Sequence, residues 1–235
     1  MEHNLLLWKW GLTPFMEIGL TFTSAIIIGL QNQGMVMKVM VIGGTGLIGS
    51  AVVAELKTRH EVICVGHSSG QYTVNIEEPD SIKALYQKVG RVDAVVLSTG
   101  RVSFLGLSEM TASDFYVGLN SKLMGQVNCV LIGLNYMNDS GSFTLTSGIL
   151  NHDPIAAGTS AAMVNGGIDG FVTAAAIEMP RGIRINAVSP TVVTEALDVY
   201  GPYFRGFEPV PVQRVAHAFS KSVEGLQTGK IYQAR

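Results

Sequence analysis

The chain has 235 residues, a formal net charge of −2 at pH 7 and charged side chains at only 14% of positions. That length gives one α/β domain of ordinary size a full core, and so sparse and balanced a charge excludes an electrostatic binder of nucleic acid. His, Cys and acidic residues nowhere stand at metal-ligand spacing, so no metal is expected.

Residues 1–36 stand apart from the rest. Leu5-Leu6-Leu7-Trp8-Lys9-Trp10 and the run 18–30 are hydrophobic, and both tryptophans of the protein fall here. The uncharged run is too short to span a bilayer, and Pro14 and Glu17 interrupt its extension. Weak positive charge at the start and no clear small-residue cleavage site leave a signal peptide poorly supported. Met35 and Met37 directly precede the first strand, so an upstream-extended reading frame explains the segment as well as a membrane anchor does. No function is placed on it, and no membrane association is expected for 37–235.

From Lys38 onward the chain alternates. Residues 39–42, opened by Lys38, predict a buried parallel strand. It stops at Gly43-Gly44-Thr45-Gly46-Leu47-Ile48-Gly49, after which Ile48, Val52, Val53 and Leu56 recur at helical spacing. Strand, glycine turn and helix N-terminus together are the setting of a dinucleotide site. The glycines let the backbone turn tightly and approach a pyrophosphate, whose charge meets free N–H groups and the positive end of the helix.

A strand at 61–65, a helix at 80–89 and a strand at 94–97 follow, the last ending at Ser98-Thr99-Gly100. Helices at 111–117 and 120–134 lead to a strand at 143–146. A long helix at 160–178, a strand at 184–188, a helix at 211–226 and a short strand at 230–233 complete the chain. The order predicts one Rossmann-type domain over 37–235, a doubly wound parallel α/β sheet with helices on both faces. Cys64 and Cys129 lie inside apolar runs and read as small core residues of a reduced, cytoplasmic protein. The helix 160–178 carries Gly166, Gly167 and Gly170, each costing roughly 1 kcal/mol in a helix interior. Close packing on the sheet, together with a helix pair across the interface of a homodimer or homotetramer, is the expected compensation.

These residues resemble the short-chain dehydrogenase/reductase superfamily across nearly all of 38–235. The glycine turn matches, as does Ser98-Thr99-Gly100 in place of the family's Asn-Ala-Gly. Pro180-Arg181-Gly182-Ile183-Arg184-Ile185-Asn186-Ala187-Val188-Ser189-Pro190 is very close to the family's late strand. The resemblance implies an oxidoreductase that uses a nicotinamide cofactor on a small-molecule substrate the sequence does not identify. The family's catalytic group is Asn, Ser, Tyr and Lys, the last two as Tyr-x-x-x-Lys on one helix face. The tyrosine hydroxyl supplies the proton as hydride moves, and the lysine one turn on lowers its pKa and holds the ribose. No tyrosine here has a lysine four positions later.

Counted along the family pattern, Ala161 takes the tyrosine position, Asn165 the lysine position and Gly148 the serine position, with Ser147 beside it. Lys122 takes the asparagine position, and Asn120 is the fallback if the register slips. The resemblance therefore implies a divergent branch that lacks the usual proton donor. Its function reads as carbonyl reduction or alcohol oxidation at an atypical active site. The alternative is a catalytically silent NAD(P)-binding sensor or scaffold.

Single residues sharpen this. Gly43, Thr45, Gly46, Leu47, Ile48 and Gly49 are the expected pyrophosphate turn; Ser98, Thr99, Gly100 and Pro190 are expected beside the cofactor. No acid follows the second strand to bond a ribose 2′-hydroxyl, whereas His67 and Ser68 suit a 2′-phosphate, which favours NADP(H) over NAD(H). Asn75-Ile76 falls near the adenine. Lys122 is either a solvated helix lysine or a cleft residue that contacts the ribose or polarises a substrate carbonyl. His152, followed by Asp153, is the nearest alternative acid. Tyr200 and Tyr203 fall where the fold covers substrate, while Thr191 replaces the family's glycine after Pro190 and Thr194 stands one place early for its nicotinamide contact.

Overall fold

A computed structural model describes residues 35–235. The hydrophobic N-terminal run read from the sequence lies outside them. Seven strands form one sheet in the order β3-β2-β1-β4-β5-β6-β7. They are β1 (Lys38–Ile42), β2 (Glu61–Gly66), β3 (Tyr72–Thr73), β4 (Val92–Leu97), β5 (Met137–Thr146), β6 (Arg184–Pro190) and β7 (Ile231–Ala234), and every neighbouring pair is parallel.

Parallel sheets are covered on both faces, so their strands are apolar throughout and successive side chains feed opposite layers. Met40 and Ile42 of β1 pack into one layer with Val95, Phe143 and Ile185, under the helices α2 (Pro79–Val89), α4 (Gly125–Gly133) and α5 (Thr159–Glu178). Val39 and Val41 pack into the other with Ala94, Val96 and Val188, under α1 (Leu47–Leu56) and α6 (Val212–Glu224). The fold is the Rossmann-type, doubly wound α/β sheet expected from the element order. No described helix is long and apolar enough to cross a membrane.

Three local features depart from the simple reading. The two-residue edge strand β3 pairs with Val65 and Gly66, too briefly to leave a pattern. Strand β5 begins at Met137 rather than 143, because the polar stretch Asn138 to Gly141 looks like a turn but forms an irregular start to the ladder with β4. The predicted helix 120–134 begins as a π-helical segment, Leu119–Met124, which joins α3 (Ala112–Gly118) to α4. Its close is the Gly125 N–H bonded five residues back to the Asn120 carbonyl. Such turns carry one extra residue and recur at functional sites. Close packing accounts for Gly167 and not for Gly170: a Cβ on Gly167 would sit 3.0 Å from Leu123 of the π segment, whereas one on Gly170 would meet nothing within 4 Å.

Candidate functional site

The carboxyl ends of β1, β2 and β4 open onto one cavity. At the end of β1, Gly43 has φ +85°, and a Cβ there would lie 2.1 Å from the Ser98 carbonyl oxygen. A Cβ on Gly49 would lie 2.0 Å from the Gly43 carbonyl oxygen, so both positions exclude any side chain. Gly46 caps α1 with no side-chain hydrogen bond, and no acid occupies the first turn of that helix. The free N–H groups and positive dipole end of α1 are thus left facing outward, beside Thr45, Leu47 and Ile48.

The cavity measures about 360 Å³. Among the residues singled out by sequence, Gly43, His67, Asn75, Ile76, Thr99 and Gly100 line it. Ser68 does not line it, and Ser98 contributes its carbonyl to the packing of Gly43 instead. Pro190 pairs with Ala234 at the end of β6, away from the cavity lining. Glu77, Arg101 and Ser121 are lining residues that sequence reasoning passed over. The Arg101 guanidinium donates to the Glu77 carboxylate at 2.6 Å, and this bond, helped by the Ser121 hydroxyl and the charge of His67, holds the Glu77 carboxyl below the usual range. Their signal was adjacency, since each directly follows a residue already chosen and the two carry opposite charge.

Around Gly100 (φ +118°) the cavity meets the second part of the site. A Cβ on Gly100 would lie 2.5 Å from the Lys122 Cα, so the π segment is pressed against the end of β4. Lys122 turns inward rather than out to solvent, and its Nζ donates to the Ser147 carbonyl at 2.9 Å. Burial pulls its pKa down to about 8 against the opposing charge of Asp169. Gln126 fixes the segment to β5 by donating to the carbonyls of Lys122 and Thr146 and accepting from the Thr146 N–H. Asn120, the fallback asparagine, is exposed.

The other residues counted onto the family pattern from sequence lie close by. A Cβ on Gly148 would stand 2.9 Å from the Asn165 Nδ2, so the amide fills the space beside the glycine. Ser147 and Asn165 are 1% and 2% exposed, and the Ser147 Oγ and Asn165 Oδ1 have no hydrogen-bond partner. Ala161, 3% exposed, belongs to an apolar cluster with Ile149 and Leu150, against which Val102, Phe104, Phe204 and Phe207 pack. His152 is 49% exposed at its side chain and faces Asp169 rather than its neighbour Asp153, with its Nε2 3.5 Å from the Asp169 Oδ2. Tyr200 and Tyr203 are exposed, and the Tyr200 ring lies 6.1 Å from that of Phe104. Thr191 is buried with its N–H on the Ala234 carbonyl, and Thr194 starts a short 3₁₀ turn.

One consequence is direct. Gly148→Ser should lower stability by about 1–3 kcal/mol through overpacking against the Asn165 amide, and Gly148→Ser with Asn165→Ala should recover most of that loss. Thermal melts of the two variants and of Asn165→Ala alone measure the coupling.

Residues 37–210 match a family model described as enoyl-(acyl carrier protein) reductase. The crystal structure of the protein lin1944 from Listeria innocua is 53% identical, with a TM-score of 0.84 over 85% of this chain and 100% of that one. A small-chain dehydrogenase in complex with NADPH is 21% identical at a TM-score of 0.75, covering 85% and 96% of the two chains. A short-chain dehydrogenase/reductase from Serratia marcescens is 17% identical at 0.70, over 83% and 95%. At these lower identities the likeness is one of fold. No curated protein matches the chain. With most of its sheet inside the matched region and a solved relative at more than half identity, the chain belongs to the short-chain dehydrogenase/reductase superfamily.

Proposed function

We propose that residues 37–235 bind a nicotinamide dinucleotide, NADP(H) in preference to NAD(H), and act as an oxidoreductase on a carbonyl or alcohol at an atypical active site. The observation that carries this reading is the uncapped N-terminus of α1 beside a cavity of about 360 Å³. The residues fit the group. Gly43, Gly46 and the first-turn N–H groups of α1 would hold the pyrophosphate, since nothing bulky or acidic competes there. Ile76 and Thr99 would flank the adenine, and Gly100 with Lys122 would lie towards the nicotinamide. The bound cofactor would supply hydride chemistry. The chain itself supplies the glycine turn that positions it, the packed π segment that walls its far end, and Lys122 as the half-buried cation there.

For the 2′ position, His67 lines the cavity and no acid follows β2. Glu77 is the one acid in that lining, and Arg101 already neutralises it. Two solved structures of the same fold, a small-chain dehydrogenase with NADPH and ElxO with NADP, are in keeping with the phosphorylated cofactor at 21% and 20% identity. Calorimetric titration of the full chain should give a Kd for NADPH at least roughly tenfold below that for NADH, about 1.4 kcal/mol, and His67→Ala should narrow the gap. Tighter NADH binding reverses the preference. No binding of either at millimolar concentration sinks the reading.

A second reading, a catalytically silent cofactor sensor or scaffold, draws support from Ala161, whose surroundings are apolar where the family carries a hydroxyl. Turnover on a panel of carbonyl compounds separates the two. Assembly as a cytoplasmic homodimer or homotetramer is part of the proposal, supported by apolar side chains left exposed on α4 and α5, namely Leu131, Met163 and the 88% exposed Ile177.

A further inference from the structure

Around Lys122 the buried polar groups outnumber their partners. A lysine ammonium has three N–H donors. Among the described residues Lys122 gives one of them to the Ser147 carbonyl and none to another group. The Ser147 Oγ and the Asn165 Oδ1 are buried without partners. Gly148 joins these groups in space as well as in sequence: it follows Ser147, and its Cβ position would lie 2.9 Å from the Asn165 amide. Leaving a buried polar atom unpaired costs about 1–3 kcal/mol. Two such atoms, grouped about Gly148 next to the carbonyl that Lys122 holds, leave polar capacity beyond the carboxyl ends of β4 and β5 that suits a polar ligand.

Asp169 stands one helical turn past Asn165 on α5. Its Oδ2 accepts from the Asn151 Nδ2 at 2.7 Å and lies 3.5 Å from the His152 Nε2, while its Oδ1 is buried and unpaired. Two anchors therefore fix a carboxylate whose charge reaches Lys122.

We infer that Lys122 is the proton donor to a carbonyl substrate and that Asp169 is the positioning residue that keeps its ammonium charged. This rests on the dinucleotide-dependent reading above. In the reductive direction the carbonyl carbon receives hydride from a reduced nicotinamide dinucleotide, which leaves oxidised. The carbonyl oxygen takes a proton from the Lys122 Nζ, so one N–H bond breaks, one O–H bond forms and the alcohol departs. Neutral Lys122 then regains a proton from water. Among the described residues the charge that reaches this amine is that of Asp169 on α5, and His152 lies 3.5 Å from the same carboxylate.

A lysine near pH 8 remains charged at neutral pH yet releases its proton more readily than an exposed lysine at about 10.4. Because the protonated form is the active one, reduction should be fast below about pH 8 and fall as pH rises through it. Asp169→Asn removes the charge that favours the ammonium, so the fall should move to lower pH.

The test uses the full chain in two measurements. Acetic anhydride labelling of Lys122, followed by mass spectrometry across pH, should show half-reaction near pH 8, a lower midpoint in Asp169→Asn, and protection by NADPH. NADPH-dependent reduction of a panel that includes 4-nitrobenzaldehyde, read at saturating NADPH, should lose at least ~100-fold in kcat in Lys122→Met. A solvent-like labelling midpoint, labelling indifferent to NADPH, turnover that survives Lys122→Met, or NADPH binding with no carbonyl reduced by the wild type would each overturn the assignment to Lys122. Absence of NADPH binding in the same samples would instead remove the reading beneath it.

Discussion

Gly46→Asp should weaken NADPH and NADH binding by roughly 100-fold or more while leaving the melting temperature unchanged or slightly raised. The two halves of this prediction come from the same atoms. Gly46 has φ −82° and ψ 174°, a conformation open to any residue, and an added Cβ would come no closer than 3.4 Å to the Gly43 carbonyl oxygen. Aspartate is among the best helix N-caps, and α1 has neither a side-chain cap nor a first-turn acid, so the folded chain accepts the new carboxylate. That carboxylate then takes the N–H groups and dipole end that a pyrophosphate needs, and two like charges in one place cost several kcal/mol. Gly43→Ala and Gly49→Ala are poor substitutes for this test, because their Cβ atoms would collide with backbone at 2.1 and 2.0 Å and any lost binding would report a broken turn. Calorimetry and a thermal melt on Gly46→Asp give both numbers. Full affinity in a folded variant would mean that the glycine turn is architecture only.

How much of this was legible depends on the range of the forces involved. The β1 turn was, because strand, glycines and helix start are contiguous and each glycine answers to a contact within a few residues or to the adjoining strand. The sheet was, because strands buried on both faces must be apolar throughout, and alternate residues of β1 duly enter opposite layers. Other features lacked a local signature. The direction of Lys122 depends on a π turn and on the approach of β4 to that turn through Gly100, neither of which a pattern of side chains encodes. The Arg101–Glu77 pair joins the ends of two crossovers 24 residues apart in sequence. His152 is singled out by sequence with its neighbour Asp153 as an alternative acid, yet the carboxylate it faces is Asp169 on a later helix. Asn120 read as a substitute asparagine, and the π segment leaves it in solvent.

Restoring the family pair, Ala161→Tyr with Asn165→Lys, should give a less stable protein and no gain in carbonyl reduction. Ala161 is 3% exposed and sits among Ile149, Leu150, Val102 and Phe104, so a phenol ring must displace packed apolar side chains. Overpacking of this kind costs about 1–3 kcal/mol, and a phenolic hydroxyl without a partner adds about 1–3 more. For a chain of this size that lowers the melting temperature by roughly 5–15 °C. A lysine at position 165 would replace an amide already pressed against Gly148 and bring a second ammonium towards Lys122, whose own charge is held against desolvation by Asp169. Like charges in so dry a place disfavour each other's ionisation, so the new lysine weakens the resident one instead of assisting a tyrosine. The residues counted onto the family pattern thus form one packed arrangement: small Gly148 admits Asn165, apolar loops seal Ala161, and the π segment delivers Lys122. Melting temperature and NADPH-dependent turnover of the double variant decide the matter. A stable, newly active double variant would mean that this site has lost its residues without being rebuilt, and that Lys122 has taken over nothing.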